Sequence, residues 1–251
     1  MKAVLITGAS SGIGKALSYQ FAAEGHNLVI TARRQDELDK IKQDIESRYS
    51  VKVIVKVSDL AVDGAADRLY EKLRAFDIEA MINNAGFGDF AMPWEMDLAK
   101  AQTMVDLNVR ALTTLPLHYA RDYSDSEATL LNVSSIGGYT QFDVAVTYWV
   151  TKFYVASFTE GLAQSLADQS KSMRAKVLAP GPTESEFVTH SSEKGAIDGD
   201  DLFPESAFIT AEQLAQYAYQ LFESDQVVGI INGENHLELK EPIYPYAQVP
   251  H

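Results

Sequence analysis

Thr7-Gly8-Ala9-Ser10-Ser11-Gly12-Ile13-Gly14 lies between a short apolar run, Ala3 to Ile6, and an amphipathic stretch, Ile13 to Glu24. An apolar run followed by glycines and then a helical period reads as strand, loop and helix. Glycines at these positions let the backbone turn sharply, approach a ligand and pack the helix on the sheet. The helix that opens there offers unpaired N–H groups and the positive end of its dipole. Gly8, Ser10, Ser11, Gly12, Ile13 and Gly14 are therefore candidate binding residues, and a pyrophosphate is the group they suit. Their spacing, G-x-x-x-G-x-G, differs from the common dinucleotide fingerprint G-x-G-x-x-G.

Outward from this loop the same rhythm repeats. Further β-branched or apolar runs stand at Leu28 to Thr31, Val51 to Val57, Ala80 to Ile82, Thr129 to Val133, Ala175 to Leu178 and Val227 to Ile231. Helical patterns separate them at Asp36 to Tyr49, Gly64 to Phe76, Asp97 to Arg121, Val144 to Ala167 and Ala211 to Phe222. Continuous apolar strands alternating with helices predict a parallel sheet covered on both faces. The expectation is an α/β, doubly wound three-layer sandwich around a seven-stranded parallel sheet, one domain over residues 1–251. A (β/α)8 barrel shares the alternation but not the opening loop. Pro116 is expected to kink the long helix it interrupts. Residues 184–209 are polar, carry Gly195 and Gly199 and show no clear period until the last few positions; a substrate loop or lid is expected there.

Composition narrows the classes of function. The chain has 251 residues, 46% hydrophobic and 22% charged, with a net charge of -14. That balance disfavours nucleic acid and anionic membranes as partners. The excess acid is concentrated from Thr183 onward, with thirteen Asp and Glu against two Lys and Arg, which reads as a solvated surface. No cysteine is present, so disulfides, thiolate metal sites and a cysteine nucleophile are excluded. Met1 runs directly into an apolar segment too short for a signal peptide, and no apolar run reaches a spanning length of about 20 residues, so a cytoplasmic protein is expected. The five histidines, His26, His118, His190, His236 and His251, show no ligand spacing and imply no metal.

Tyr148 and Lys152 lie one helical turn apart on a common face, thirteen and more residues after Ser135 at a strand end. A neighbouring ammonium favours phenolate and is expected to pull the tyrosine below its ordinary value of about 10, toward acid–base work near neutrality. The pair alone is common on ordinary helices. Here it has company. Thr7 to Gly14 resembles the TGxxxGxG loop of short-chain dehydrogenases/reductases, Asn83-Asn84-Ala85-Gly86 their NNAG motif, Tyr148-x-x-x-Lys152 their catalytic pair and Pro180-Gly181 their PG turn. The motifs come in the family's order and span the chain.

The resemblance implies a Rossmann-type fold and hydride transfer between a nicotinamide and a carbonyl or alcohol. Tyr148 would be the general acid/base, Ser135 would polarise the substrate oxygen, and Lys152 would tune Tyr148 and bond the nicotinamide ribose. Asn108 would bend its helix and hold a proton-relay water. The second strand ends Ala32-Arg33-Arg34, with alanine where NAD-dependent members carry an acid; Arg33 is expected to grip a 2′-phosphate, favouring NADP over NAD. Asp59 and Leu60 are expected at the adenine, Asn84, Ala85 and Gly86 where the cofactor approaches, and Pro180, Gly181 and Thr183 at the nicotinamide. The family often has Val or Ile two residues after PG and Thr two later; this chain has Thr183 and Ser185.

Phe87, Phe90, Met92, Trp94, Tyr139, Phe142, Phe187 and Phe203 are expected around an apolar pocket for a ketone, aldehyde or alcohol, or in the core. The helices over Asp97 to Arg121 and Val144 to Ala167 are apolar on more than one face, and a homodimer or homotetramer through them is implied. The tail, Pro242-Ile243-Tyr244-Pro245-Tyr246, packs on a neighbour or trails. The alternative function is a non-catalytic NAD(P)-sensing protein on the same fold; the presence of Ser135, Tyr148 and Lys152 together weighs against it.

Overall fold

Strand β1 (Lys2–Thr7) is buried from Ala3 onward on both faces, as a central strand must be. Val4 and Ile6 face one hydrophobic cluster, while Ala3 and Leu5 face another. This alternation of side chains makes the three layers. The computed structural model describes residues 1–184 and 203–247.

The other strands are β2 (Leu28–Ala32), β3 (Val53–Val57), β4 (Asp77–Asn83), β5 (Thr129–Val133), β6 (Arg174–Ala179), β7 (Val228–Ile231) and β8 (Leu237–Lys240). They form one sheet in the order β3-β2-β1-β4-β5-β6-β7-β8. The first seven are parallel; β8 runs antiparallel to β7. The expected seven strands are thus joined by an eighth. It follows a tight turn in which Asn232 Oδ1 accepts from the amides of Glu234 and His236. Its partly exposed edge gives it no continuous apolar run, so it lacks the signal that marked the others.

Helices α1 (Gly12–Ala23), α2 (Gln35–Arg48) and α7 (Ala211–Glu223) cover one face of the sheet, with Phe21 and Leu214 fully buried. Helices α3 (Ala65–Leu73), α5 (Leu112–Tyr123) and α6 (Val146–Asp168) contribute to the other cluster. Helix α4 (Leu98–Val105) leads into α5 through a π-helical segment, Asp106–Ala111. The long helix anticipated over Asp97 to Arg121 therefore changes its winding at Asn108, whereas α5 continues past Pro116.

The tail does not trail; it is hydrogen-bonded to its own chain. Ile243 and Tyr244 donate their amides to Glu160 of α6, and Tyr246 donates its hydroxyl to Asp168 at 2.7 Å. The strand order reverses between β1 and β4, and the carboxyl ends of these parallel strands open onto the site.

Candidate active site

A cavity of about 760 Å³ runs across the carboxyl edge of the sheet. Gly8, Ser10, Ser11, Gly12, Ile13, Gly14, Arg33, Asp59, Leu60, Asn84, Ala85, Gly86, Ser135, Tyr148, Lys152, Pro180, Gly181 and Thr183 all line it. Of the candidate residues, only Asn108 lies behind the wall.

The loop after β1 is held open by backbone geometry. Gly8 and Gly12 take φ of +69° and +49°, in the region that favours glycine. A Cβ on Gly14 would sit 2.2 Å from the Gly8 carbonyl oxygen. Thr7 is the hub beneath: its hydroxyl accepts from the amides of Asn84 and Ala85 at 3.0 and 2.9 Å. Asn84 returns the contact, donating Nδ2 to the Thr7 carbonyl at 3.0 Å. Strand-end β4 thus braces the glycine loop. Asn83 faces elsewhere and donates to Asn132 of β5 at 3.1 Å.

At the far end, Arg33 is exposed on the rim, and Arg34 donates to Ser10 Oγ. Asp59 accepts from the Ala61 amide at 3.1 Å, closing a turn well before α3 begins at Ala65, so it does not cap that helix. Thr31 Oγ1 is buried at the same wall without a hydrogen-bond partner.

The catalytic candidates converge at the other end. Tyr148 and Lys152 occupy successive turns of α6 and are both buried. The Lys152 ammonium donates to the Val133 carbonyl at 3.0 Å, one acceptor for three donors. Ser134 and Ser135 follow β5 and part ways. Ser134 donates to the Lys152 carbonyl at 2.8 Å and anchors the helix. Ser135 is hydrogen-bonded with the Tyr148 phenol. Asn108 accepts from the Phe87 amide at 3.2 Å and donates to the Phe87 carbonyl at 2.8 Å and to Thr151 at 3.1 Å. It therefore ties the π segment to the β4 loop and to the turn of α6 between Tyr148 and Lys152.

The electrostatics differ from the sequence expectation. Burial dominates at Tyr148 and pushes its phenol above the ordinary value; the Ser135 hydrogen bond pulls the other way. Burial also lowers Lys152 to about 8. Both groups are desolvated together, and the ammonium donates to the Val133 carbonyl. It lies 5.7 Å from the centre of the Tyr148 ring. The spacing revealed the pair but not the cost of burying it.

Aromatic walls flank the tyrosine. Phe87, Phe90, Trp149 and Phe203 line the cavity, with Phe90 edge-on to Tyr148 at 6.3 Å. Met92 and Phe142 pack behind them. Trp94 is 80% exposed and Tyr139 turns away toward Tyr244, so neither is a wall. Phe187 and most of the expected substrate loop lie outside the described residues. Sequence reading missed Trp149 as a wall, and Thr7, Ser134 and Thr151 as braces. Each is adjacent in sequence to a motif residue, which was the available signal.

The residues present fit a nicotinamide dinucleotide. Gly8, Gly12 and Gly14 present bare backbone to the cavity, and Lys152 lines it with one of its three donors engaged by Val133. A family model described as short chain dehydrogenase matches residues 2–196. Sulfoacetaldehyde reductase 2 of Chromohalobacter salexigens is 30% identical over 86% of each chain. NADP-dependent 3-hydroxy acid dehydrogenase of Schizosaccharomyces pombe is 31% identical over 86% of this chain and 84% of its own. A short-chain dehydrogenase from Sphingobium yanoikuyae, solved in complex with NADPH, superposes with a TM-score of 0.82 at 26% identity, covering 92% of this chain and 87% of that one. Loop, sheet, helix pair and relatives agree: the chain belongs to the short-chain dehydrogenase/reductase family, enzymes that act on CH–OH and carbonyl groups with a nicotinamide cofactor.

Proposed function

We propose that this protein is an NADPH-dependent carbonyl reductase, one catalytic domain with Tyr148 as its general acid. The observation that carries the reading is the convergence of Ser135, Tyr148 and Lys152 on one cavity with the glycine loop. The nicotinamide, when bound, supplies the hydride. The glycine loop and the N-terminus of α1 hold the pyrophosphate, with Asn84 and Thr7 keeping the loop in shape. Arg33 takes the 2′-phosphate; its place on the rim beside the end of β2 and the absence of an acid at Ala32 support this. Lys152 donates to the ribose hydroxyls, and Asp59, Leu60, Gly86 and Thr183 complete the cofactor walls.

Tyr148 holds its proton at neutral pH, because burial disfavours the phenolate. It delivers that proton to the substrate oxygen as negative charge develops there, while Ser135 donates a hydrogen bond to the same oxygen. A phenol kept protonated suits reduction better than oxidation. Asn108 supports Lys152 and the backbone of the Phe87 loop.

The aromatic walls suit an apolar or aromatic carbonyl. Relatives range from the sulfoacetaldehyde reductase to a 7beta-hydroxysteroid dehydrogenase of Clostridium sardiniense, 26% identical over 180 residues, so chain length and fold do not fix the substrate. Val146, Val150 and Tyr154 form an exposed apolar stripe along α6, and Val105 and Leu117 are exposed on the helices before it; both support assembly of copies through these helices. The test is NADPH oxidation with a panel of aldehydes, aryl ketones and cyclic ketones. Turnover of at least one supports the reading. Tight NADPH binding with none turned over would favour a sensing protein.

A further inference from the structure

Glu160 is an acid buried to 2% exposure on the helix that carries Tyr148 and Lys152. Lys152 and Glu160 stand eight residues apart, so they share a helix face. A lone buried carboxylate is costly unless its oxygens are paired. Here they are: Oε1 accepts from the Tyr139 hydroxyl at 2.5 Å, and Oε2 accepts from the amides of Ile243 and Tyr244 at 2.5 and 2.8 Å. The carboxylate thus clamps the C-terminal segment to α6.

The clamped segment reaches the serine turn. The Tyr244 hydroxyl donates to the Gly138 carbonyl, and its ring stacks on Tyr139 at 5.5 Å and 20°. Gly138 ends the single helical turn Ile136–Gly138 that Ser135 caps, with Ser135 Oγ accepting from the Gly137 amide at 3.2 Å. Gly138 is also pressed on the catalytic helix, where a Cβ would meet Ser134 Oγ at 2.5 Å and the Lys152 carbonyl at 2.8 Å. The turn is held by α6, by the Pro180 carbonyl through the Ile136 amide at 2.8 Å, and by the tail.

We propose that the C-terminal segment is a strut of the active site, in which Glu160 and Tyr244 are positioning residues that fix the Ser135 turn against the helix bearing Tyr148. The proposal rests on Ser135 acting on the substrate oxygen. Tyr244 touches no reacting atom; it acts only through Gly138.

Tyr244→Phe deletes the hydroxyl while keeping the stacked ring and both amides that hold Glu160. With NADPH and the fastest carbonyl of the panel, kcat falls about tenfold, because a small displacement of a positioned donor is felt strongly in the transition state. KM for NADPH and the thermal midpoint stay near wild type. In a Ser135→Ala background the same change has no further effect, since its route is already cut. Glu160→Gln gives a smaller loss in the same direction. Unchanged kcat in Tyr244→Phe, or an equal loss in both backgrounds, overturns the strut. Amide exchange at Gly137 and Gly138 reads the turn without any turnover: it quickens in Tyr244→Phe. Exchange equal to wild type overturns the proposal even if the panel contains no substrate, an outcome that would refute the reductase reading separately.

Discussion

The Lys152 ammonium donates to the Val133 carbonyl at 3.0 Å while its stem passes the Tyr148 ring, 5.7 Å from Nζ to the ring centre. The lysine's hydrogen bond thus goes to the end of β5. Burial acts on both groups: it raises the phenol and disfavours ionisation of the lysine.

That ionisation is measurable as stability. Lys152 sits at about 8 in the folded protein, below the 10.5 of an exposed lysine. Between those values the unfolded chain binds more protons, so this group's contribution to stability rises with pH. Below pH 8 the charged lysine carries its full burial penalty, about 3 kcal/mol. Urea unfolding of wild type and Lys152→Met from pH 7 to 9.5 checks this: wild type gains on the variant as pH rises. Lys176 does not disturb the comparison, because it is present in both proteins.

On the proposed reading Arg33, on the cavity rim, sets the cofactor preference. Arg33→Ser is expected to raise KM for NADPH about tenfold and leave NADH nearly unchanged, as expected for loss of a charge-assisted contact to one phosphate. Steady-state kinetics with both dinucleotides decide it. Equal efficiency of NADH and NADPH in the wild type would refute the role.

Gly14 admits no side chain. In Gly14→Ala the new Cβ would lie 2.2 Å from the Gly8 carbonyl oxygen, which is backbone, and 2.5 Å from Asn84 Nδ2, which is tied to the Thr7 carbonyl. The loop must move, so NADPH affinity drops by about 100-fold or more and the thermal midpoint falls. Fluorescence titration with NADPH and a melting curve measure both.

Asn108→Ala removes the partner of the Phe87 amide and carbonyl and leaves the Thr151 hydroxyl only its bond to the Tyr148 carbonyl. The expected cost is about 2 kcal/mol of stability, with kcat lowered as Lys152 and the Phe87 wall loosen. Chemical denaturation and turnover test the two effects together.

Much of this was legible beforehand, for physical reasons. Strands buried on both faces, such as Ala3 to Ile6, leave unbroken apolar runs, and glycine loops have few other uses at a strand–helix junction. Leu237 to Lys240 was not legible, because an edge strand with half its side chains in solvent carries no such run. The residues named by motif line one cavity, with Asn108 behind its wall. Tyr139 and Trp94 were misplaced because aromatic content near a pocket does not say which way a ring points; Tyr139 is drawn off by Glu160, twenty-one residues away. The clamp itself joins residues eighty and more positions apart, which no local spacing reveals. The phenol's direction of shift was misjudged because burial outweighs the Ser135 hydrogen bond that opposes it.

The central claim is that Tyr148 gives the proton. Tyr148→Phe keeps the ring, its edge contact with Phe90 and the buried volume, and removes only the hydroxyl. NADPH oxidation with the fastest carbonyl of the panel, measured beside NADPH affinity, tests it most directly. The account predicts a fall in kcat of about 1,000-fold, within the range of general acid catalysis, with NADPH affinity unchanged. Turnover within a few-fold of wild type would contradict it.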